Sequence, residues 1–128
     1  MSRILVVEDE PHVASLVTEV LRQDGHDVVL SEDGEVGLLI AEADGTDCVV
    51  LDLGLPGLPG RVMLEVLREQ GRKLPVVVLT GWDDPEHRSA CLASGANVFL
   101  TKPFKVTLLR TEVRAQLAIA GAGEGGGL

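Results

Sequence analysis

Five residues follow apolar runs at the point where a turn begins, and each carries a group able to do chemistry. Glu8 and Asp9 come directly after Arg3 to Val7, Asp52 ends Val49-Val50-Leu51, Thr80 follows Val76 to Leu79, and Lys102 comes just after Val98-Phe99-Leu100. The set is three carboxylates, a hydroxyl and an amine. Carboxylates gathered at about 5 Å, with an effective dielectric near 20, repel by roughly 3 kcal/mol per pair. A cluster kept against that repulsion suits a hard cation with oxygen ligands. Mg²⁺ (or Mn²⁺) takes one or two carboxylates and leaves positions for water and phosphate oxygens. Lys102 offers a mobile point charge for a phosphoryl oxygen. A carboxylate nucleophile, a divalent cation, a lysine and a hydroxyl are together the parts needed to form an aspartyl phosphate. Asp52 by itself would equally well open a turn before Gly54, Pro56 and Gly57; the company it keeps decides the reading.

These residues converge only if the runs before them are parallel strands sharing a carboxyl edge. The sequence predicts that arrangement. Runs of Val, Ile and Leu closed by Gly or Pro read as strands buried on both faces: Arg3 to Val7, Val28 to Leu30, Cys48 to Leu51, Leu74 to Leu79 and Val98 to Leu100. Between them lie stretches of helical spacing. Pro11 marks the start of the first helix, Val13, Leu16, Val17, Val20 and Leu21 form its stripe, and Gly25 ends it as a left-handed residue. Val36, Leu39, Ile40 and Ala43 mark a second helix, and Met63, Val66 and Leu67 a third that ends near Gly71. Asp84 and Pro85 cap a fourth that stops at Gly95, and Val106, Leu109, Val113 and Leu117 carry the last. Strand alternating with helix implies an α/β fold with right-handed crossovers and helices on both faces.

Composition narrows the function classes. At 128 residues the chain suits one domain with a single proper core. A net charge of −9 argues against nucleic-acid binding by this segment, since phosphate neutralisation needs clustered Lys and Arg. No apolar run reaches the roughly 18–20 residues of a membrane span, and the first residues enter a strand rather than a signal peptide. Cys48 and Cys91 lie inside apolar runs and read as small buried hydrophobes of a reducing, cytoplasmic protein. His12, His26 and His87 are scattered without ligand spacing. From Gly121 to Leu128 the sequence is Gly-rich and reads as a flexible tail or linker, which places the domain at residues 1–120.

Glu8-Asp9, Asp52 with Pro56 and Gly60 downstream, Thr80-Gly81, and Lys102-Pro103-Phe104 appear in that order and spacing. Together they resemble the receiver domain of two-component response regulators, over about Arg3 to Leu117. The resemblance implies a flavodoxin-like doubly wound five-stranded parallel sheet, order 2-1-3-4-5, with five helices. It further implies that Asp52 accepts a phosphoryl group from a sensor histidine kinase or phosphotransfer protein. Asp9 would hold Mg²⁺ directly and Glu8 through water, with Asp52 and the Gly54 carbonyl completing the set. Lys102 would pair with Asp52, and its bond to Pro103 would be cis. Thr80 would move to the phosphoryl group and Phe99 would turn inward behind it. The output would be a downstream effector or a linked output domain, with a phosphorylation-dependent homodimer as one mode.

The pattern also departs from the family's commoner residues. Phe99 lacks the hydroxyl of the Tyr often found there. Trp82 and Gly54, each two residues past a site residue, occupy positions that tune phosphoryl lifetime. Asn97-Val98 stands where the winged-helix class tends to carry acidic residues used in dimer salt bridges. Three rivals have distinct signatures. A haloacid dehalogenase-type phosphohydrolase needs a second acid two residues beyond its nucleophile, where this chain has Gly54. A flavodoxin needs a phosphate loop with free N–H groups, where this chain has Glu8-Asp9-Glu10. A pseudo-receiver would bind partners without being phosphorylated.

Overall fold

In the computed structural model, which describes residues 2–43 and 45–125, strands and helices alternate throughout. The elements are β1 (Arg3–Val7), α1 (Pro11–Gln23), β2 (Asp27–Ser31), α2 (Gly34–Glu42), β3 (Cys48–Asp52), α3 (Gly60–Glu69), β4 (Val76–Thr80), α4 (Pro85–Ala93), β5 (Val98–Thr101) and α5 (Val106–Gly125). The strands form one sheet in the order β2-β1-β3-β4-β5, with every neighbouring pair parallel. This is the flavodoxin-like topology expected from the sequence.

Because side chains alternate across a strand, each strand feeds two cores. Ile4, Val6, Cys48, Val50, Val77, Leu79 and Leu100 bury Val17 and Leu21 of α1 and Leu109 and Val113 of α5. Leu5, Val7, Val49, Leu51, Val76, Val78 and Phe99 pack the other way, onto Ala41 of α2, Met63, Leu64 and Leu67 of α3, and Cys91 of α4. Strands covered on both sides show no polar–apolar alternation, which is why they read as unbroken apolar runs. Continuing the same alternation past the strand ends assigns Glu8, Asp52 and Lys102 to the α1/α5 side. Thr80 falls in phase with Phe99, on the α2–α4 side.

Helix ends match their chemistry. Glu10 caps α1 by accepting from the N–H groups of His12 (3.1 Å) and Val13 (2.8 Å), and Asp84 caps α4 through Glu86 and His87. Gly25 takes a positive φ of 90° just past α1, the left-handed residue expected there.

Two expectations need correction. The stripe assigned to α2 is out of phase. Val36 is 50% and Leu39 68% exposed, Ala43 lies beyond the helix, and the buried residues are Gly34, Gly37 and Ala41. This helix rests on its glycines because its neighbours come too close for a side chain. A Cβ at Gly37 would stand 3.0 Å from both methyls of Val7, and one at Gly34 would stand 2.1 Å from the Leu58 carbonyl oxygen. The second correction concerns Leu16 of the α1 stripe, which is 42% exposed. At the other end of the chain, α5 runs on to Gly125. Extending a formed helix adds a hydrogen bond per residue fixed, which offsets the weak glycine propensity over a short run. Gly126–Leu128 lie outside the described residues.

Candidate functional site

Glu8 and Lys102 flank the carboxyl ends of β1 and β5, and Asp52 is the last residue of β3. The side chain of Glu8 is 0% exposed. Lys102 Nζ donates to Glu8 Oε1 and Oε2, each at 3.0 Å, and lies 3.3 Å from Asp52 Oδ1. One ammonium thus bridges two carboxylates carried by distant parts of the chain. Asp9 completes the cluster: one carboxylate oxygen from each of Glu8, Asp9 and Asp52 lies within 4.8 Å of the others. Three acids against one amine leave a surplus negative charge at the rim. With oxygen donors only, that fits a divalent hard cation. Among the described residues no histidine or cysteine joins the group.

Burial pushes the Glu8 carboxyl above its ordinary range. The hydrogen bond from Lys102 pulls it back and the neighbouring charge of Asp52 raises it again. For Lys102, burial works to lower the pKa, but the Glu8 and Asp52 carboxylates outweigh it and hold the ammonium above its usual value. The pairing differs from the expected one in emphasis, since Lys102 is shared and makes its two shorter contacts with Glu8. The reason is electrostatic. Each acid accepts one backbone N–H at 3.2 Å, Glu8 Oε1 from Glu10 and Asp52 Oδ1 from Gly54, but Glu8 is the more deeply buried charge and has the greater need of its counterion. Glu10, the third acid of its run, is occupied in capping α1; the N–H groups of Val13 and His12 hold its pKa down.

The β3–α3 loop is seated tightly beneath Asp52. A Cβ at Gly60 would stand 2.6 Å from the Asp52 carbonyl oxygen, and one at Gly54 would stand 3.8 Å from both Asp52 carboxylate oxygens. Residue 54 therefore borders the carboxylate directly. At the neighbouring strand ends, Thr80 is buried, its Oγ1 accepts the Trp82 N–H at 3.1 Å, and its carbonyl accepts the Lys102 N–H at 2.6 Å. The Lys102–Pro103 peptide is cis. Trp82 is 64% exposed at the rim, and Phe99 is already turned into the α2–α4 core.

Sequence reading did not give the roles of His87 and Arg88, which hold this end of the fold. His87 stacks on Trp82 and meets Phe99 edge-on, while the Arg88 guanidinium covers the Phe99 ring. No periodicity announces such contacts; only the Asp84-Pro85 start, which fixes the phase of α4, hinted at them. At the opposite edge, Arg68 donates to the carbonyls of Arg72, Leu74 and Gly95 and to Asn97 Oδ1. That amide oxygen also accepts the Val76 N–H at 2.8 Å. Asn97 therefore serves the chain internally. Cys48 and Cys91 are free and buried as expected, and burial pushes the Cys48 thiol up to about 12.

Comparison with known proteins agrees with this geometry. The family described as "Response regulator receiver domain" matches residues 4–114. The "probable transcriptional regulatory protein TcrX" of Mycobacterium tuberculosis is 37% identical over 92% of this chain and 50% of its own length. The chain thus spans about half the length of the curated relatives it matches. Among solved structures, the Francisella response regulator 1452 receiver domain superposes with a TM-score of 0.89 at 29% identity, covering 92% of this chain and 98% of that one. The receiver domain of the Pseudomonas aeruginosa sensor histidine kinase PA1611 has magnesium coordinated in its active-site cleft. It superposes with a TM-score of 0.82 at 33% identity, covering 91% and 98%. No helix among the described residues is long and apolar enough to cross a membrane. With the rim acids, the bridging lysine and the sheet order in agreement with a family match along most of its length, the chain belongs to the receiver domains of two-component response regulators.

Proposed function

We propose that Asp52 is a phosphoryl acceptor, loaded from the phosphohistidine of a sensor histidine kinase or phosphotransfer protein. The observation that carries this reading is the bridging position of Lys102 Nζ, 3.0 Å from Glu8 and 3.3 Å from Asp52. An Asp52 oxygen forms the new P–O bond while the P–N bond breaks, its electron pair returning to the imidazole nitrogen. Lys102 is placed to follow the charge from the carboxylate onto a phosphoryl oxygen. The Thr80 hydroxyl donates to a second phosphoryl oxygen. Asp9 and Asp52 directly, Glu8 through water and the Gly54 carbonyl would hold Mg²⁺ (or Mn²⁺). Bound there, the cation supplies positive charge to the phosphoryl oxygens and offsets the crowded acids. Gly54 has no acid to protonate a leaving group, which argues against general turnover of phosphate esters.

Residues 1–120 would be the receiver unit and 121–128 the start of a connection to an output domain or a free end. Since TcrX carries the name of a transcriptional regulator, a transcriptional output in the cytoplasm is the natural setting, with nucleic acid bound elsewhere than on this acidic segment. The test is incubation with acetyl phosphate and Mg²⁺ followed by intact-mass measurement. A gain of one phosphoryl group that disappears in Asp52→Asn is expected. No gain in the wild-type chain would leave a pseudo-receiver.

A further inference from the structure

On the α2–α4 side of the sheet, His87 stands between the aromatic residues of the rim. Its ring stacks on Trp82 at 5.0 Å with planes 18° apart, and it meets Phe99 at 5.6 Å and 76°. Its backbone N–H donates to Asp84 Oδ1 at 3.3 Å, and its Nε2 faces the Cys91 thiol at 3.9 Å. Arg88, one residue on, lays its guanidinium 4.9 Å from the Phe99 ring centre and pairs with Asp83 at 3.2 Å. The Trp82 backbone is in turn held by its amide N–H, which donates to Thr80 Oγ1. The contacts run unbroken from the Thr80 hydroxyl through Trp82 and His87 to Phe99 and the first turn of α4.

We infer that His87 is the positioning residue that couples the Thr80 hydroxyl to the outer face formed by Trp82, Arg88 and the start of α4. The inference rests on the reading of Asp52 as phosphoryl acceptor. When Thr80 swings toward a phosphoryl oxygen, the Trp82 backbone N–H loses its acceptor, and the β4–α4 segment that carries the exposed indole is freed to shift. His87 shares a ring face with that indole and belongs to the first turn of α4, so the helix start follows it. Phe99 is buried, is closed over by His87 and Arg88, and has no polar tip to draw it outward. In this chain it is the fixed bearing, and the Trp82–His87 pair is the moving part. Coupling of this kind needs an element with two arrangements that the site biases, and the stacked pair at the helix start supplies one.

The test compares the full chain with His87→Ala, His87→Phe and Trp82→Leu, each with beryllofluoride and Mg²⁺. Fluorine NMR reports the adduct, and backbone amide shifts report its reach. The adduct is expected in the wild type and both His87 variants. Shifts at residues 88–91 should fall about two- to ten-fold in His87→Ala, the range for losing an aromatic pair, while those at Thr80 persist. His87→Phe, which keeps a ring, should restore them, and Trp82→Leu should lose them from the other side of the stack. An adduct with undiminished α4 shifts in His87→Ala and Trp82→Leu overturns the coupling alone. No adduct in the wild type overturns the Asp52 reading and the coupling with it.

Discussion

Replacing Lys102 by Met keeps the aliphatic stem and removes the charge that Glu8 depends on. Lys102 Nζ lies 3.0 Å from both Glu8 oxygens, and a unit pair at that separation attracts by about 5 kcal/mol at an effective dielectric near 20. The Glu8 side chain is 0% exposed, so the substitution strands a buried charge. Breaking such pairs costs about 3–5 kcal/mol. Protonation of Glu8 caps the loss. From the ordinary carboxyl value of 4.5, neutralisation at about pH 7.5 costs at most about 4 kcal/mol at roughly 1.36 per unit. Glu8 starts above that value because it is buried, so a loss of about 2–4 kcal/mol is expected near pH 7.5.

The sign with pH follows from linkage. A carboxyl whose folded pKa lies above its unfolded one favours the fold fully below the unfolded value. That stability is lost as pH rises through the folded value. Lys102 holds the Glu8 pKa down, so its removal moves the folded value further up and widens the window of lost stability. The Lys102 ammonium, held above 10.5, contributes in full below its unfolded pKa and loses its contribution only as pH rises through its raised folded value, beyond this window. The deficit of Lys102→Met should therefore be small near pH 4 and grow toward pH 7.5. Urea unfolding in chelator at several pH values measures it. A deficit that is the same in acid as at neutrality, or below about 1 kcal/mol at about pH 7.5, would refute the buried-charge argument.

Three further outcomes are expected. Asp52→Asn, or Asp9→Ala, should raise the melting temperature in metal-free buffer by a few degrees, about 1 kcal/mol, because like-charge crowding is relieved while Lys102 keeps Glu8; calorimetry showing a fall for both contradicts this. Gly34→Ala should destabilise by about 2 kcal/mol or more despite alanine's better helix propensity, since its Cβ would meet the Leu58 carbonyl oxygen at 2.1 Å; urea unfolding with no loss would mean that the β3–α3 loop yields freely. Arg68→Met leaves three carbonyls and the Asn97 amide short of a donor and should cost about 2–3 kcal/mol, with faster amide exchange at the ends of β4 and β5; exchange unchanged there would argue against the network.

The strands and the rim were legible because burial on both faces writes a plain signal, an apolar run with a polar residue just past its end. Parallel order then carried Glu8, Asp9, Asp52, Thr80 and Lys102 to one edge. The phase of α2 was not legible, since the usual rule ranks Val36 and Leu39 above Gly34 and Gly37. Close packing against Val7 and Leu58 reverses that ranking. The roles of His87, Arg68 and Asn97 were hidden for a different reason. Their partners lie on other elements, and ring contacts or carbonyl capping have no period along a chain. The task of Glu10, capping α1 by accepting from His12 and Val13, was likewise not read from its place in an acidic run.

The pleat that sends Glu8, Asp52 and Lys102 to one side and Thr80 and Phe99 to the other has a consequence for variation. The acid–amine group and the Phe99 side of the sheet rest on separate hydrophobic halves that meet along the strands. Drift in α3 or α4 can reshape that outer surface while the acid–amine arrangement keeps its tuning, so one rim is compatible with many surfaces. A single inserted residue within β3 enjoys no such freedom: it would throw Asp52 onto the wrong half, away from Glu8 and Lys102.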